Sequence, residues 1–160
     1  MIIKSDLELL YNWAKENAFP MKVAPTAEGY SNKPISYCWL KGVGKSIMLR
    51  KKLIQSQNIQ AIYENDDILF SMISSFDSGT VLKPHKDPNV YKKPYKRIQI
   101  PLVIPDREKC YMIWKGERIY WKEGEYQVFE VMDYIHEGGN LSDKPMEFLF
   151  LDVKKDTIIC

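Results

Sequence analysis

Arg97-Ile98-Gln99-Ile100-Pro101-Leu102-Val103-Ile104 is the stretch on which the fold turns. Ile98, Ile100, Leu102 and Ile104 recur at every second residue, the period of a strand with one buried apolar face. Arg97 and Gln99 therefore share the opposite face, where they could line one pocket. Working outward, similar β-rich runs occupy Ile68–Phe76, Cys110–Trp114, Arg118–Trp121, Tyr126–Val131 and Met146–Val153. Turn residues separate them at Asp77-Ser78-Gly79, Pro105-Asp106, Lys115-Gly116, Glu123-Gly124 and Gly138-Gly139-Asn140. Strands at this spacing with no helices between them indicate an antiparallel sandwich or barrel.

The N-terminal third reads differently. Ser5-Asp6-Leu7-Glu8 has the form of a capping box, and Leu7, Leu10, Tyr11 and Ala14 follow at helical spacing, which predicts a helix over residues 6–18. Prolines and glycines make residues 20–44 a loop with one short strand around Ile35–Leu40, and a second helix is predicted from Ser46 to Gln57. Gly42-Val43-Gly44-Lys45-Ser46 ends like a phosphate-binding loop, but that pattern needs glycine where Trp39 stands, so Ser46 is read as a helix cap. One domain over 1–160 is expected, with a helical and loop part (1–67) packed on a β core (68–153). The predicted class is mainly β with N-terminal helices.

Composition narrows the function classes. The chain has 160 residues, 45% of them hydrophobic, and 23 Lys+Arg against 21 Asp+Glu. A net charge of +2 is too small to argue for nucleic acid. Three cysteines, Cys38, Cys110 and Cys160, lack metal-ligand spacing and read as free thiols in a reducing compartment. No apolar run is long enough to span a membrane and Lys4, Asp6 and Glu8 charge the N-terminus, so neither a membrane span nor a signal peptide is expected. The expected location is cytoplasmic.

The chain holds only two histidines, His85 and His136. In Pro84-His85-Lys86-Asp87-Pro88, an imidazole and a carboxylate stand at i and i+2, on one side of an extended segment. If a neighbouring strand returns His136 to them, the result is two nitrogens and one oxygen with adjacent positions open, the facial triad of non-haem Fe(II) oxygenases. Lys83, Lys86, Lys92, Lys93, Lys96 and Arg97, interleaved with Tyr91 and Tyr95, form a basic and aromatic rim nearby. Such a rim attracts small anions, or holds single-stranded nucleic acid by stacking. Trp114, Trp121 and Phe129 are read as core aromatics.

From Leu69 to Val153 the chain resembles the aspartyl/asparaginyl β-hydroxylase family of Fe(II)/2-oxoglutarate oxygenases. The residues that carry this are Ser78-Gly79-Thr80, His85, Asp87, the Arg97–Pro105 run, Trp121-Lys122-Glu123-Gly124-Glu125, Phe129, His136 and Phe148-Leu149-Phe150-Leu151-Asp152-Val153. The resemblance implies a double-stranded β-helix (jelly-roll, cupin-like) core. It also implies oxidative decarboxylation of 2-oxoglutarate coupled to hydroxylation of an amino-acid side chain, free or in a peptide or protein. By the same resemblance His85, Asp87 and His136 hold Fe(II), while Arg97 and Ser74 contact 2-oxoglutarate. Two positions depart from the family. Gln99 replaces a histidine beside the site, and Met146 replaces the arginine that pairs with the distal carboxylate of 2-oxoglutarate. Lys83, Lys96 and Lys144 are candidates to replace that charge. The alternatives are a non-catalytic or 2-oxoglutarate-independent jelly-roll binding protein, favoured by Met146, and an oxygenase acting on nucleic acid.

Overall fold

The computed structural model describes residues 1–24, 30–42 and 56–160. Their elements, in order, are α1 (Lys4–Glu16), β1 (Lys22–Ala24), β2 (Ile35–Lys41), α2 (Gln57–Glu64), β3 (Ile68–Phe76), β4 (Thr80–His85), β5 (Tyr95–Val103), β6 (Cys110–Trp114), β7 (Glu117–Ile119), β8 (Gln127–Phe129), β9 (His136–Asn140) and β10 (Met146–Lys154). The strands form a six-stranded sheet in the order β1-β2-β3-β10-β5-β8 and a four-stranded sheet in the order β4-β9-β6-β7. Every ladder between these strands is antiparallel. This is the jelly-roll architecture that the resemblance implies. Among the described residues no helix is long and apolar enough to cross a membrane.

The larger sheet is buried on both faces, and its central strand shows why. In β10, Leu149, Leu151 and Val153 pack with Ile98, Ile100 and Leu102 of β5 against Leu7, Leu10 and Trp13 of α1 and Ile59, Ile62 and Tyr63 of α2. Its alternate residues, Met146, Phe148 and Phe150, face the second sheet and meet Phe76, Met112, Trp121 and Phe129. A strand covered on both sides reads as a continuous apolar run, as Phe148-Leu149-Phe150-Leu151 does. The alternation expected in β5 holds for Ile98, Ile100 and Leu102, which lie under the helices while Arg97 and Gln99 turn inward, but Ile104 falls beyond the strand, past a register shift, and packs with the opposite cluster.

Local structure departs from expectation at several points. Helix α1 starts at Lys4 with Ile3 as its N-cap, and Asp6 rather than Glu8 accepts the Ile3 N–H at 3.4 Å. Residues 20–44 hold β1 as well as β2, and β2 hydrogen-bonds to β3 within the larger sheet. The helix expected from Ser46 falls almost entirely outside the described residues, as does the rejected phosphate-loop segment beyond Gly42. The described helix α2 begins at Gln57, where that prediction ended.

The strands β4 and β9 were not expected, and Gly138-Gly139-Asn140 is not a break. It is the body of β9, paired with β4 on one side and β6 on the other. A Cβ at Gly138 would fall 2.8 Å from the Tyr111 carbonyl oxygen, and one at Gly139 would fall 3.0 Å from that of Thr80. Glycine is poor in β propensity but is used where backbones crowd. His136 therefore begins its own strand rather than ending the run before it.

Candidate metal centre

The register of the smaller sheet brings the two histidines together. His85, last in β4, and His136, first in β9, are direct cross-strand partners, with ring centroids 4.4 Å apart. Each ring is held in the same way. His85 Nδ1 lies 2.6 Å from the carbonyl oxygen of Lys83, and His136 Nδ1 lies 3.1 Å from that of Tyr134. A carbonyl can only accept, so in neutral rings these contacts place the proton on Nδ1 and leave the Nε2 lone pair free. Tyr30 packs over His85 at 4.6 Å between centroids.

Asp87 lies just past β4, its backbone N–H donating to the Val131 carbonyl at 3.0 Å. Its Oδ1 sits 3.4 Å from His85 Nε2 and 3.2 Å from His136 Nε2. One donor atom from each of the three residues falls within 4.8 Å of the others. That separation suits three ligands on one ion, and the mixed nitrogen and oxygen set suits a divalent transition metal. Burial alone would raise the Asp87 pKa. The Arg97 charge, and hydrogen bonds from Nε2–H of both histidines when their rings are protonated, outweigh it and hold the carboxyl well below the usual carboxylate range. The hydrogen bond to Asp87 shifts His85 upward, against the opposing effect of burial.

Arg97 lines the cavity beside these residues and is itself held by two carboxylates. Its Nη1 donates to Asp87 Oδ2 at 2.6 Å, while Nε and Nη2 grip the two oxygens of Asp152 at 2.6 and 2.9 Å. Asp152 is fully buried and also accepts the Tyr91 hydroxyl at 2.6 Å. Asp87 therefore turns one oxygen to the histidines and keeps the other on Arg97. The sequence reading named Asp152 and Tyr91 but did not pair them with Arg97. The signal was present for Asp152, which closes the β10 alternation on the face of Phe148 and Phe150, directly opposite Arg97.

Beside these three side chains lies a cavity of about 280 Å³. Ser74, Gln99 and Met146 all line it, with Phe76, Phe148, Phe150 and Trp121 among its apolar walls, whereas Lys83, Lys96 and Lys144, the candidates to replace the family's charge, are not in its lining. Ser74 Oγ and Trp121 Nε1 are buried and have no hydrogen-bond partner among the described residues. Arg97 is, among the described residues, the one lysine or arginine in the lining. The basic rim does not form the stacking platform considered above: Tyr95 is buried with its hydroxyl on the Pro88 carbonyl, and Tyr91 is turned onto Asp152.

A family model described as Aspartyl/Asparaginyl beta-hydroxylase matches residues 49–156. No curated protein matches the chain. Among solved structures, an oxidoreductase of the 2OG-Fe(II) oxygenase family from Burkholderia pseudomallei superimposes with a TM-score of 0.61 at 11% identity, over 91% of this chain and 78% of that chain. A predicted oxalate decarboxylase from Thermotoga maritima gives 0.56 at 12% identity, over 85% of this chain and 93% of that one. A cupin-like protein from the same organism gives 0.53 at 12%, over 87% and 82%. At such identities the likeness is one of fold.

Proposed function

The chain belongs to the aspartyl/asparaginyl beta-hydroxylase family, and from that premise we propose that it is a non-haem Fe(II) oxygenase which uses a 2-oxo acid to hydroxylate an amino-acid side chain, free or within a peptide. The observation that carries this reading is the convergence of His85 Nε2, His136 Nε2 and Asp87 Oδ1 on one point, beside a cavity. Bound there, ferrous iron with a chelating 2-oxo acid supplies the power to activate O₂ and insert hydroxyl into a C–H bond.

The residues divide the remaining work. The Lys83 and Tyr134 carbonyls fix the two imidazoles in tautomer and orientation. Arg97 is a positioning residue: by holding Asp87 Oδ2 it restricts Asp87 to a single ligating oxygen and keeps the neighbouring positions open. The apolar walls exclude water from the reacting carbon. A reducing, cytoplasmic setting agrees with the free thiols of Cys38, Cys110 and Cys160.

The donor set fits iron, and the open positions suit the oxo-acid head of any 2-oxo acid. The tail is another matter: Met146 and the engagement of Arg97 leave the distal carboxylate of 2-oxoglutarate without a free cation in the described lining. The test is anaerobic titration with Fe(II) by calorimetry, followed by oxygen uptake with a panel of 2-oxo acids, in the natural protein and in His136→Ala. Iron binding and oxygen uptake, both lost in the variant, are expected. Absence of both from the natural protein overturns the reading.

A further inference from the structure

We infer that the cavity beside the metal centre is built for a 2-oxo acid with an uncharged tail and selects against the dicarboxylate 2-oxoglutarate. This rests on the function proposed above and narrows it to a cosubstrate class.

Charge counting is the first argument. Arg97 contributes one positive charge and faces two carboxylates, Asp87 and Asp152, at hydrogen-bond distance, leaving the trio one negative charge. A divalent ion makes the total one positive, which the carboxylate at the oxo-acid head neutralises. A second carboxylate, at the tail, then has no counter-charge. Nor do the other acidic and basic side chains in the described lining provide one: Glu137 is acidic, and His85 and His136 are taken up as ligands. A carboxylate buried without a partner costs several kcal/mol unless it takes up a proton.

The second argument is the chemistry of the walls. Met72, Phe76, Met112, Met146, Phe148 and Phe150 surround the space with aromatic rings and thioethers, surfaces that favour an aliphatic or sulfur-bearing tail. Tyr30, Ser31, Ser74, Gln99, Tyr111 and Trp121 add polar groups to the lining, all of them neutral. Ser74 Oγ and Trp121 Nε1, both buried, are unpartnered among the described residues. A hydroxyl and an indole N–H are neutral donors and carry no charge to balance a carboxylate. At about 280 Å³ the cavity lies at the small end of ligand sites, the scale of a metabolite.

The experiment compares 4-methyl-2-oxopentanoate with 2-oxoglutarate by anaerobic calorimetry on the Fe(II)-loaded protein, with no turnover required. The branched, uncharged oxo acid is expected to bind at least tenfold more tightly. In Met146→Arg the preference is expected to reverse, since a cation then stands in the wall; Met146→Lys serves if the arginine variant does not fold. Equal or tighter binding of 2-oxoglutarate by the natural protein overturns the inference and leaves the iron-oxygenase reading intact. If iron binds but neither oxo acid does, the oxo-acid reading itself fails, and this inference with it.

Discussion

Replacing Arg97 with methionine removes both partners' counter-charge while roughly keeping the volume, and the consequence can be worked from the distances. Asp152 loses donors at 2.6 and 2.9 Å and keeps one, the Tyr91 hydroxyl; Asp87 loses its donor at 2.6 Å. Breaking a buried ion pair from one side costs about 3–5 kcal/mol, because the other charge stays buried. A domain of this size has only about 5–15 kcal/mol in total. Asp152→Asn should cost less, about 1.5–3 kcal/mol for hydrogen bonds to a charged group, because Arg97 still holds Asp87. The double variant leaves a neutral amide within reach of Tyr91, so the two losses should fall short of additivity by about 1–3 kcal/mol. Urea unfolding of the four metal-free proteins, followed by far-ultraviolet ellipticity, measures the cycle. Iron affinity supplies the readout that a merely structural role would not move. It should fall about 10–100-fold in Arg97→Met, the usual cost of losing a group that orients a ligand, and stay near native in Asp152→Asn. Additive stability losses, or equal loss of iron in both single variants, would refute the positioning argument.

Four further outcomes are expected. His136→Ala should weaken Fe(II) binding by more than the roughly 10–100-fold typical of an outer-sphere partner, since a ligand itself is lost; metal-competition titration measures it. Gly138→Ala forces a Cβ to 2.8 Å from the Tyr111 carbonyl oxygen. It should cost about 1–3 kcal/mol, read as a drop in melting temperature of about 2–4 °C per kcal/mol. Ser74→Ala removes a buried hydroxyl that has no partner among the described residues, so its unfolding free energy, measured by urea denaturation, should hold or rise by up to about 1 kcal/mol. Burial first, then the Asp152 carboxylate and the hydrogen bond to it, push the Tyr91 phenol far above its ordinary range. Because the folded-state value exceeds the unfolded one of about 10, the contribution is complete below that pH and shrinks above it; thermal melts should show the advantage of the natural protein over Tyr91→Phe narrowing from about pH 8 to about pH 11.

How much of the molecule was legible in the sequence depends on whether local pattern or neighbours decide each element. In β5 the alternation of Ile98, Ile100 and Leu102 against Arg97 and Gln99 was read correctly down to the faces. The continuous apolar run of β10 was placed correctly for a strand covered on both sides. By contrast β4 is broken by Lys83 and Pro84 after Thr80-Val81-Leu82, and β9 carries two glycines in five residues, so local β preference is weak in both. They are strands because β6 and β4 hold β9 between them at a spacing that leaves no room for a Cβ. Helix α2 was missed for a different reason. It has eight residues and no side-chain cap, so only the Ile59, Ile62 and Tyr63 spacing announces it.

The candidate site divides along the same line, and one residue shows where sequence matching stops. His85 and Asp87 are neighbours in sequence, so their convergence follows from strand geometry. His136 needed the resemblance to find it and the β4–β9 register to explain it. Arg97 was found, and the resemblance gave it a cosubstrate to contact, but a guanidinium's task is set by whichever acceptors surround it. Here they come from 55 residues later in the chain and 10 residues earlier. The same fact governs the tail of the cavity. Because Arg97 spends its charge on Asp87 and Asp152, the charge absent at Met146 is not recovered elsewhere in the described lining. The departure at Met146 and the clamp on Asp87 are therefore expected to act on different steps: a cation placed at 146 should change which oxo acid is held, whereas removing Arg97 should change how the metal is held. Variants at the two positions should then act independently, the first on oxo-acid preference and the second on iron affinity, and a double variant that departs from the product of the two effects would show that they share one site.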